Sequence, residues 1–248
     1  MIVALALVVF VAGFVQGAIG FGFPFIATPA VAMLLDMRTA IVMVLLPTLA
    51  SVLITLYTSG PLKTTLARFW LMPVYATAGA LAGTLIFIAA PAAPYQLLLA
   101  VIIVLYLNLD RISRGEWPLV KAHEKSFAPL AGLAAGLFEG TANVAAPPLI
   151  VYYLALGLAP ATMVQAMQIC FLVGKSTQFV VLSTQGGIGV SQWVETIPFC
   201  AIAVASGFVG ARVRGSIDAK LFRRIVKGSL GLIAFALFAQ YLYRALPA

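Results

Sequence analysis

Residues Phe138–Pro148 read FEGTANVAAPP, in one of the most apolar parts of a 248-residue chain. A glutamate, a threonine and an asparagine are followed by two prolines, so polar side chains and helix breakers share one place. A second stretch of this kind, GAIGFGFP, occupies Gly17–Pro24. The two breaks lie within the apolar segments Ile2–Leu35 and Phe127–Leu156, both overlong for a single crossing, which needs about 20 residues. They decide the fold, because non-helical backbone at membrane depth is tolerated only where protein or a water-filled cavity satisfies its N–H and C=O groups.

The rest of the chain supplies that context. It is 63% hydrophobic and 9% charged, with a mean hydropathy of +1.09, whereas a soluble domain is about one-quarter charged. The apolar runs suit helices rather than the short alternating strands of a barrel. The chain therefore reads as an integral membrane protein, an all-α polytopic bundle. Further apolar runs cover Thr39–Tyr57, Phe69–Ala90, Tyr95–Leu109, Pro160–Leu182, Trp193–Ala211 and Phe222–Leu246. They divide into a first transmembrane repeat over residues 1–110, a cytoplasmic linker over 111–126 and a second repeat over 127–248. Setting Gly13 on Gly132 brings Gly17 onto Gly136 and Pro29 onto Pro148; after small insertions, Pro73 meets Pro198 and Gly83 meets Gly210. Internal repeats of this kind are a mark of secondary transporters.

The net charge of +8 comes from a few loops, so it bears on topology and lipid headgroups rather than on nucleic acid. Basic residues gather at Lys63/Arg68, at Arg111, Arg114, Lys121 and Lys125, and at Arg212, Arg214, Lys220, Arg223, Arg224 and Lys227. The positive-inside rule places all three clusters on the cytoplasmic side. That requires each overlong segment to enter and return as a hairpin, with Arg38 and Arg244 as exceptions on the outer side. The expected architecture is two inverted repeats, each a re-entrant or short helical hairpin plus three transmembrane helices. Arms of about 12–16 residues would measure roughly 18–24 Å. They would fall short of a hydrocarbon core about 30 Å thick, so the tips should stop within it. The first apolar stretch has no basic n-region and no clean cleavage site, and reads as mature structure.

Two helix N-termini, one from each hairpin, would then point toward each other near the midplane. Unpaired N–H groups and positive dipole ends favour an anion there. Gly17, Gly20, Gly22 and Gly140 are expected to permit the turns, and Thr141 and Asn143 are candidate N-caps. Glu139 and Lys175 lie well inside the spans, where ionisable residues are costly and functional by default. Gln168, Lys175 and Gln178 follow i, i+7, i+10 spacing and can share one helix face. The candidate substrate contacts are Gly20, Gly22, Gly140, Thr141, Asn143, Gln168 and Lys175. Lys175 is either the cation that meets a bound anion or a static partner of Glu139. Glu139 is a proton-coupling candidate, that static partner, or a cap for nearby N–H groups. The pairs Gly13/Gly17, Gly79/Gly83 and Gly132/Gly136 read as close helix packing.

No catalytic residue, metal or cofactor is expected. GKST at Gly174–Thr177 lacks the earlier glycine of a phosphate loop, because Ile169 stands in its place. The single histidine, His123, falls in the linker, which leaves no Ser–His pair within the membrane. Cys170 and Cys200 lack metal-ligand spacing and read as core residues.

The segments GFVQGAIGFGFPFIATPAVAMLL and RTAIVMVLLPTLAS resemble the N-terminal signature of the sulfite exporter TauE/SafE family, and GLAAGLFEGTANVAAPPLIVYYLALGL resembles its second copy. The resemblance spans nearly the whole chain. It implies a permease of the bacterial cytoplasmic (inner) membrane for small anionic sulfur compounds, such as sulfite or organosulfonates like sulfoacetate. Many members carry a run of glycines where this chain has Gly20-Phe21-Gly22-Phe23, so the first tip is bulkier here and the substrate stays open. Expected partners are a small anionic solute and the lipid bilayer, without nucleic acid, and small-residue helix faces would suit a homodimer. The alternative reading is a cation or metal permease of the same architecture. A membrane enzyme would lack a recognisable nucleophile–base set, and a non-transporting assembly subunit is excluded only by solute passage through the protein alone.

Overall fold

A computed structural model describes residues 1–90 and 118–213, with isolated positions at Leu98, Val101, Ile103, Val104, Asn108, Gly231, Phe235 and Phe238. The remainder of the expected segments Tyr95–Leu109 and Phe222–Leu246 lies outside the described residues, as do Arg111, Arg114, Arg214, Lys220, Arg223, Arg224, Lys227 and Arg244. Among the described residues the chain is helical, with no strand.

The first half forms α1 (Ile2–Ile19), α2 (Phe23–Leu34), α3 (Met37–Thr58), α4 (Lys63–Phe69) and α5 (Leu71–Ala89). The second forms α6 (Pro118–Ala122), α7 (Glu124–Ala142), α8 (Ala146–Ala155), α9 (Pro160–Thr184), α10 (Val190–Val194) and α11 (Ile197–Val213). Among the described residues, five stretches are long and apolar enough to cross a membrane: α1, α3, α5, α9 and Val190–Val213. The protein is an all-α polytopic membrane protein. Residues 118–126 of the expected linker are mostly helical, as α6 and the first turn of α7.

Both overlong segments break where the polar stretches stand. Gly20 and Gly22, at φ 98° and 120°, end α1 and lead into α2, which carries Pro24 in its first turn. In the second break the left-handed residue is Asn143, φ 65°, at the C-terminal end of α7. Asparagine tolerates this region better than most side chains. Pro147 then stands in the first turn of α8, where a missing N–H leaves no bond unmade. The leading arms, 18 and 19 residues, are longer than the expected 12–16. The returning arms have 12 and 10 residues, roughly 18 and 15 Å at 1.5 Å per residue.

Each hairpin returns to the end it started from. Early α1 (Leu5, Val9) and late α2 (Val31) line one small pocket with Met43 and Phe199. At that end Arg38 donates to the carbonyls of Phe87 (3.0 Å) and Ile88 (2.8 Å). In the second hairpin the Tyr152 hydroxyl on α8 donates to the carbonyl of Glu124, where α7 begins, at 3.1 Å. This is the opposite end, where Arg68 pairs with Glu124 at 3.4 Å. Arg68 and Lys125, from two of the basic clusters, line one cleft there. The hairpins thus open at opposite ends of the molecule.

Small residues let α1 lie against α11 and α7 against α5. A Cβ on Gly17 would overlap the Gly207 carbonyl and lie 2.8 Å from the Ala211 nitrogen; one on Gly136 would overlap the Ala76 carbonyl and lie 2.6 Å from the Ala80 nitrogen. Likewise, Gly210 faces the Phe14 carbonyl and Ala18 nitrogen, while Gly79 faces the Leu133 carbonyl and Leu137 nitrogen. The same contact is made twice, with Gly79 as the counterpart of Gly210. This moves the expected match of Gly83 with Gly210 by one helical turn, and the same offset sets Pro73 on Val204 rather than on Pro198. These faces are filled within the chain.

At the start of α3 the Asp36 carboxylate accepts from the N–H groups of Arg38 (2.9 Å) and Thr39 (3.0 Å) and from the Thr39 hydroxyl. Partial burial opposes its ionisation, but those hydrogen bonds outweigh it and hold the carboxyl below its ordinary value. The cap therefore acts above the unfolded-state pKa and is lost as acid protonates the carboxylate. Asp36→Ala should cost about 1 kcal/mol, roughly 2–4 °C in thermal unfolding for a chain of this size. The deficit relative to the parent should shrink in acid.

Candidate functional site

Helix α9 runs past both breaks and carries the side chains that hold them. Near one end of α9, Gln165 donates to the Ser59 carbonyl at 2.6 Å, and near the other Leu182 lines a cavity of about 220 Å³ with Arg38. Between them, Gln168 Nε2 donates to the Gly20 carbonyl at 2.6 Å. Further along, Gln178 Nε2 donates to the carbonyls of Glu139 and Gly140, each at 3.3 Å. The tip of each hairpin is therefore gripped beyond the midpoint, and the tips pass each other by roughly ten residues of α9, about 15 Å. The expected head-on meeting of two helix N-termini is replaced by an overlap. Asn143 of one hairpin reaches Thr28 of the other, its Nδ2 donating to Thr28 Oγ1 at 2.8 Å.

Around the first break the contacts are uncharged. Gln16 Nε2 donates to Gln168 Oε1 (3.2 Å) and Thr55 Oγ1 (3.3 Å), while the Phe23 N–H donates to Gln16 Oε1 (3.0 Å). The first N–H of the returning helix is thus occupied by a side chain of the entering one.

Around the second break the contacts are ionic. Lys175 and Glu139, 0% and 2% exposed, pair at 3.3 Å. Lys175 Nζ also donates to Asn143 Oδ1, and to Gln178 Oε1 at 3.1 Å. The other carboxylate oxygen, Glu139 Oε2, is buried without a hydrogen-bond partner among the described residues. It stands against Gly174, where a Cβ would overlap it and lie 2.9 Å from the Glu139 carboxyl carbon.

The candidate residues separate accordingly. Gly20, Asn143, Gln168, Lys175 and Glu139 meet at the breaks, and Gly22 supplies left-handed backbone in the first. Gly17 makes no turn: it lies inside α1 and packs on α11. Gly140 is likewise helical, with its would-be Cβ 2.5 Å from the Thr84 nitrogen on α5. Thr141 is not an N-cap; its hydroxyl bonds back to the Leu137 carbonyl at 2.7 Å within α7. Asn143 caps the C-terminal end of α7, its N–H donating to the Glu139 carbonyl at 2.9 Å, and the N-cap of α8 is Ala145. Turn geometry requires a left-handed residue there, and the chain reaches it one turn after Gly140.

Sequence reasoning left out Gln16, Thr28 and Thr55, whose partners stand far off in the chain. Gln16 and Thr28 lie inside the quoted family signature, and a polar side chain flanking a membrane break is the signal that could have flagged them. No group of three or more His, Cys, Asp or Glu residues suited to a metal occurs among the described residues.

Compared with known proteins, residues 5–237 match the family model described as Sulfite exporter TauE/SafE. No curated protein and no solved structure matches the chain.

Proposed function

The chain belongs to the sulfite exporter TauE/SafE family, a family of membrane transporters, and from that membership we propose that it carries a sulfur oxyanion or small organosulfonate across a bacterial cytoplasmic membrane. The observation that carries the reading is the buried Lys175–Glu139 pair at a helix break. An ionic cluster in an apolar bundle is costly unless paired, and such groups mark solute pathways.

The geometry indicates how an anion would be taken up. Two of the three acceptors around Lys175 Nζ are amide oxygens, and the third is the Glu139 carboxylate. The substrate anion takes the place of Glu139, since only that partner has its charge. Glu139, released from the ammonium, accepts a proton, which couples proton binding to anion binding. The hairpins belong to two copies inserted in opposite senses, and rocking one copy against the other exposes the site to each side in turn.

The test is current across proteoliposomes on jumps of sulfite, sulfoacetate, taurine, sulfate and a nickel salt. Currents with a sulfur anion are expected, rising as pH falls because protonation of Glu139 frees Lys175. Glu139→Gln should carry the same anion with its pH dependence flattened. Currents with nickel alone, or an unchanged pH profile in the variant, would sink this reading.

A further inference from the structure

The three N–H donors of the Lys175 ammonium meet three side-chain oxygens: Asn143 Oδ1, Gln178 Oε1 and Glu139 Oε1. Neither amide is free to turn. Asn143 Nδ2 is held by Thr28 Oγ1, and Gln178 Nε2 by the carbonyls of Glu139 and Gly140. Reversing Gln178 would set its NH2 against the ammonium and its oxygen against two carbonyls. Reversing Asn143 would likewise turn its NH2 on the ammonium. The hydrogen-bond pattern thus aims both oxygens inward.

Two fixed amide oxygens and a carboxylate form a cage for a small cation, and it stands at the C-terminal end of α7. The negative end of a helix dipole lies there, and such ends of broken helices are where transporters coordinate a coupling sodium ion or proton. The second carboxylate oxygen, Glu139 Oε2, is buried without a hydrogen-bond partner among the described residues and lies beside Gly174, next in the chain to Lys175, so the carboxylate keeps acceptor capacity that the ammonium leaves unused. The cage is filled from within, by an ammonium on a fully buried stem.

We infer that Lys175 takes the place of a coupling sodium ion: the protein moves its anion without sodium, and the cage binds sodium or a small alkylammonium once the lysine is removed. The transport half rests on the proposed anion-transport function; the cage half stands on binding alone.

Two measurements on the full chain test it. In liposomes, wild-type sulfite uptake should agree within about twofold between sodium and N-methylglucamine buffers, and a tenfold loss without sodium would overturn the inference while leaving anion transport intact. Absence of uptake in both buffers and with every sulfur anion would instead sink the proposed function, and the cage would then be judged by binding. For that, Lys175→Ala is unfolded by heat in detergent with sodium, ethylammonium or N-methylglucamine chloride. Sodium or ethylammonium at roughly ten times its Kd should raise the midpoint by about 3–6 °C, with N-methylglucamine inert and wild type unmoved. A variant indifferent to all three cations would overturn the cage. If Lys175→Ala does not fold in N-methylglucamine, recovery of folded protein in sodium or ethylammonium supports the cage, and failure to fold in all three cations overturns it.

Discussion

Lys175→Met should reduce anion transport by at least 100-fold and destabilise the protein severely, and the two losses should separate in a double variant. The stem of methionine fills much of the space, but the ammonium is gone. Glu139, 2% exposed, is left as a buried carboxylate facing two inward-aimed amide oxygens. Removing one partner of a buried ion pair costs about 3–5 kcal/mol, because the other charge stays uncompensated. Neutralising both partners removes that penalty, so Glu139→Gln with Lys175→Met should regain most of the lost thermal stability. It should not regain transport, since no cation remains to meet the substrate. Thermal unfolding and liposome flux on the two single variants and the double give the full cycle. Transport surviving in a folded double variant would remove Lys175 from the mechanism.

Almost as large an effect is expected where no polar group is involved. Gly136→Val puts a side chain where even a Cβ would overlap the Ala76 carbonyl and lie 2.6 Å from the Ala80 nitrogen. The obstacle is backbone on both sides, which cannot rotate away, so α7 and α5 must separate along a shared face. Overpacking a fitted interface typically costs 1–3 kcal/mol. With main chain as the obstacle the loss should exceed about 4 kcal/mol, the range of severe substitutions. Gly17→Val should fail in the same way against α11. Gly207→Ala is the control: its Cβ would meet nothing nearer than 3.7 Å, so the midpoint should stay near wild type or rise, as for a helical Gly→Ala exchange. Equal loss from Gly207→Ala and Gly136→Val would show that contact distance does not govern these glycines.

Gly207 and Gly210 illustrate where the sequence stops being informative. Both stand in the small-residue face of α11, but a Cβ would strike the opposite backbone only at Gly210, at Phe14 and Ala18, whereas Gly207 meets α1 through its carbonyl and leaves room for a Cβ. Spacing identifies the face, and the crossing point decides which glycine bears the contact. Gly140 is legible as a special residue but not its task, because a glycine looks alike in a turn and in a tight helix crossing. Asn143 misleads for a related reason: asparagine serves at either end of a helix, and only the path of the backbone tells which.

Local physics was enough for the membrane class, the helices α3, α5 and α9 to within a few residues, both break points and the small-residue faces. Hydropathy over about 20 residues and the conformational limits of glycine and proline act within a short stretch of chain, so a linear sequence displays them. The arrangement of the site was decided by tertiary structure. Thr28 and Asn143 are 115 residues apart and Gln16 and Gln168 are 152 apart, and nothing in either neighbourhood encodes the other. The overlap of the hairpin tips and the inward aim of two amide oxygens arise only when α9 is packed between both breaks, which also closes the Glu139–Lys175 pair that the sequence leaves as one alternative. There each buried donor must find an acceptor among whatever the fold has brought near, and no local rule contains that requirement.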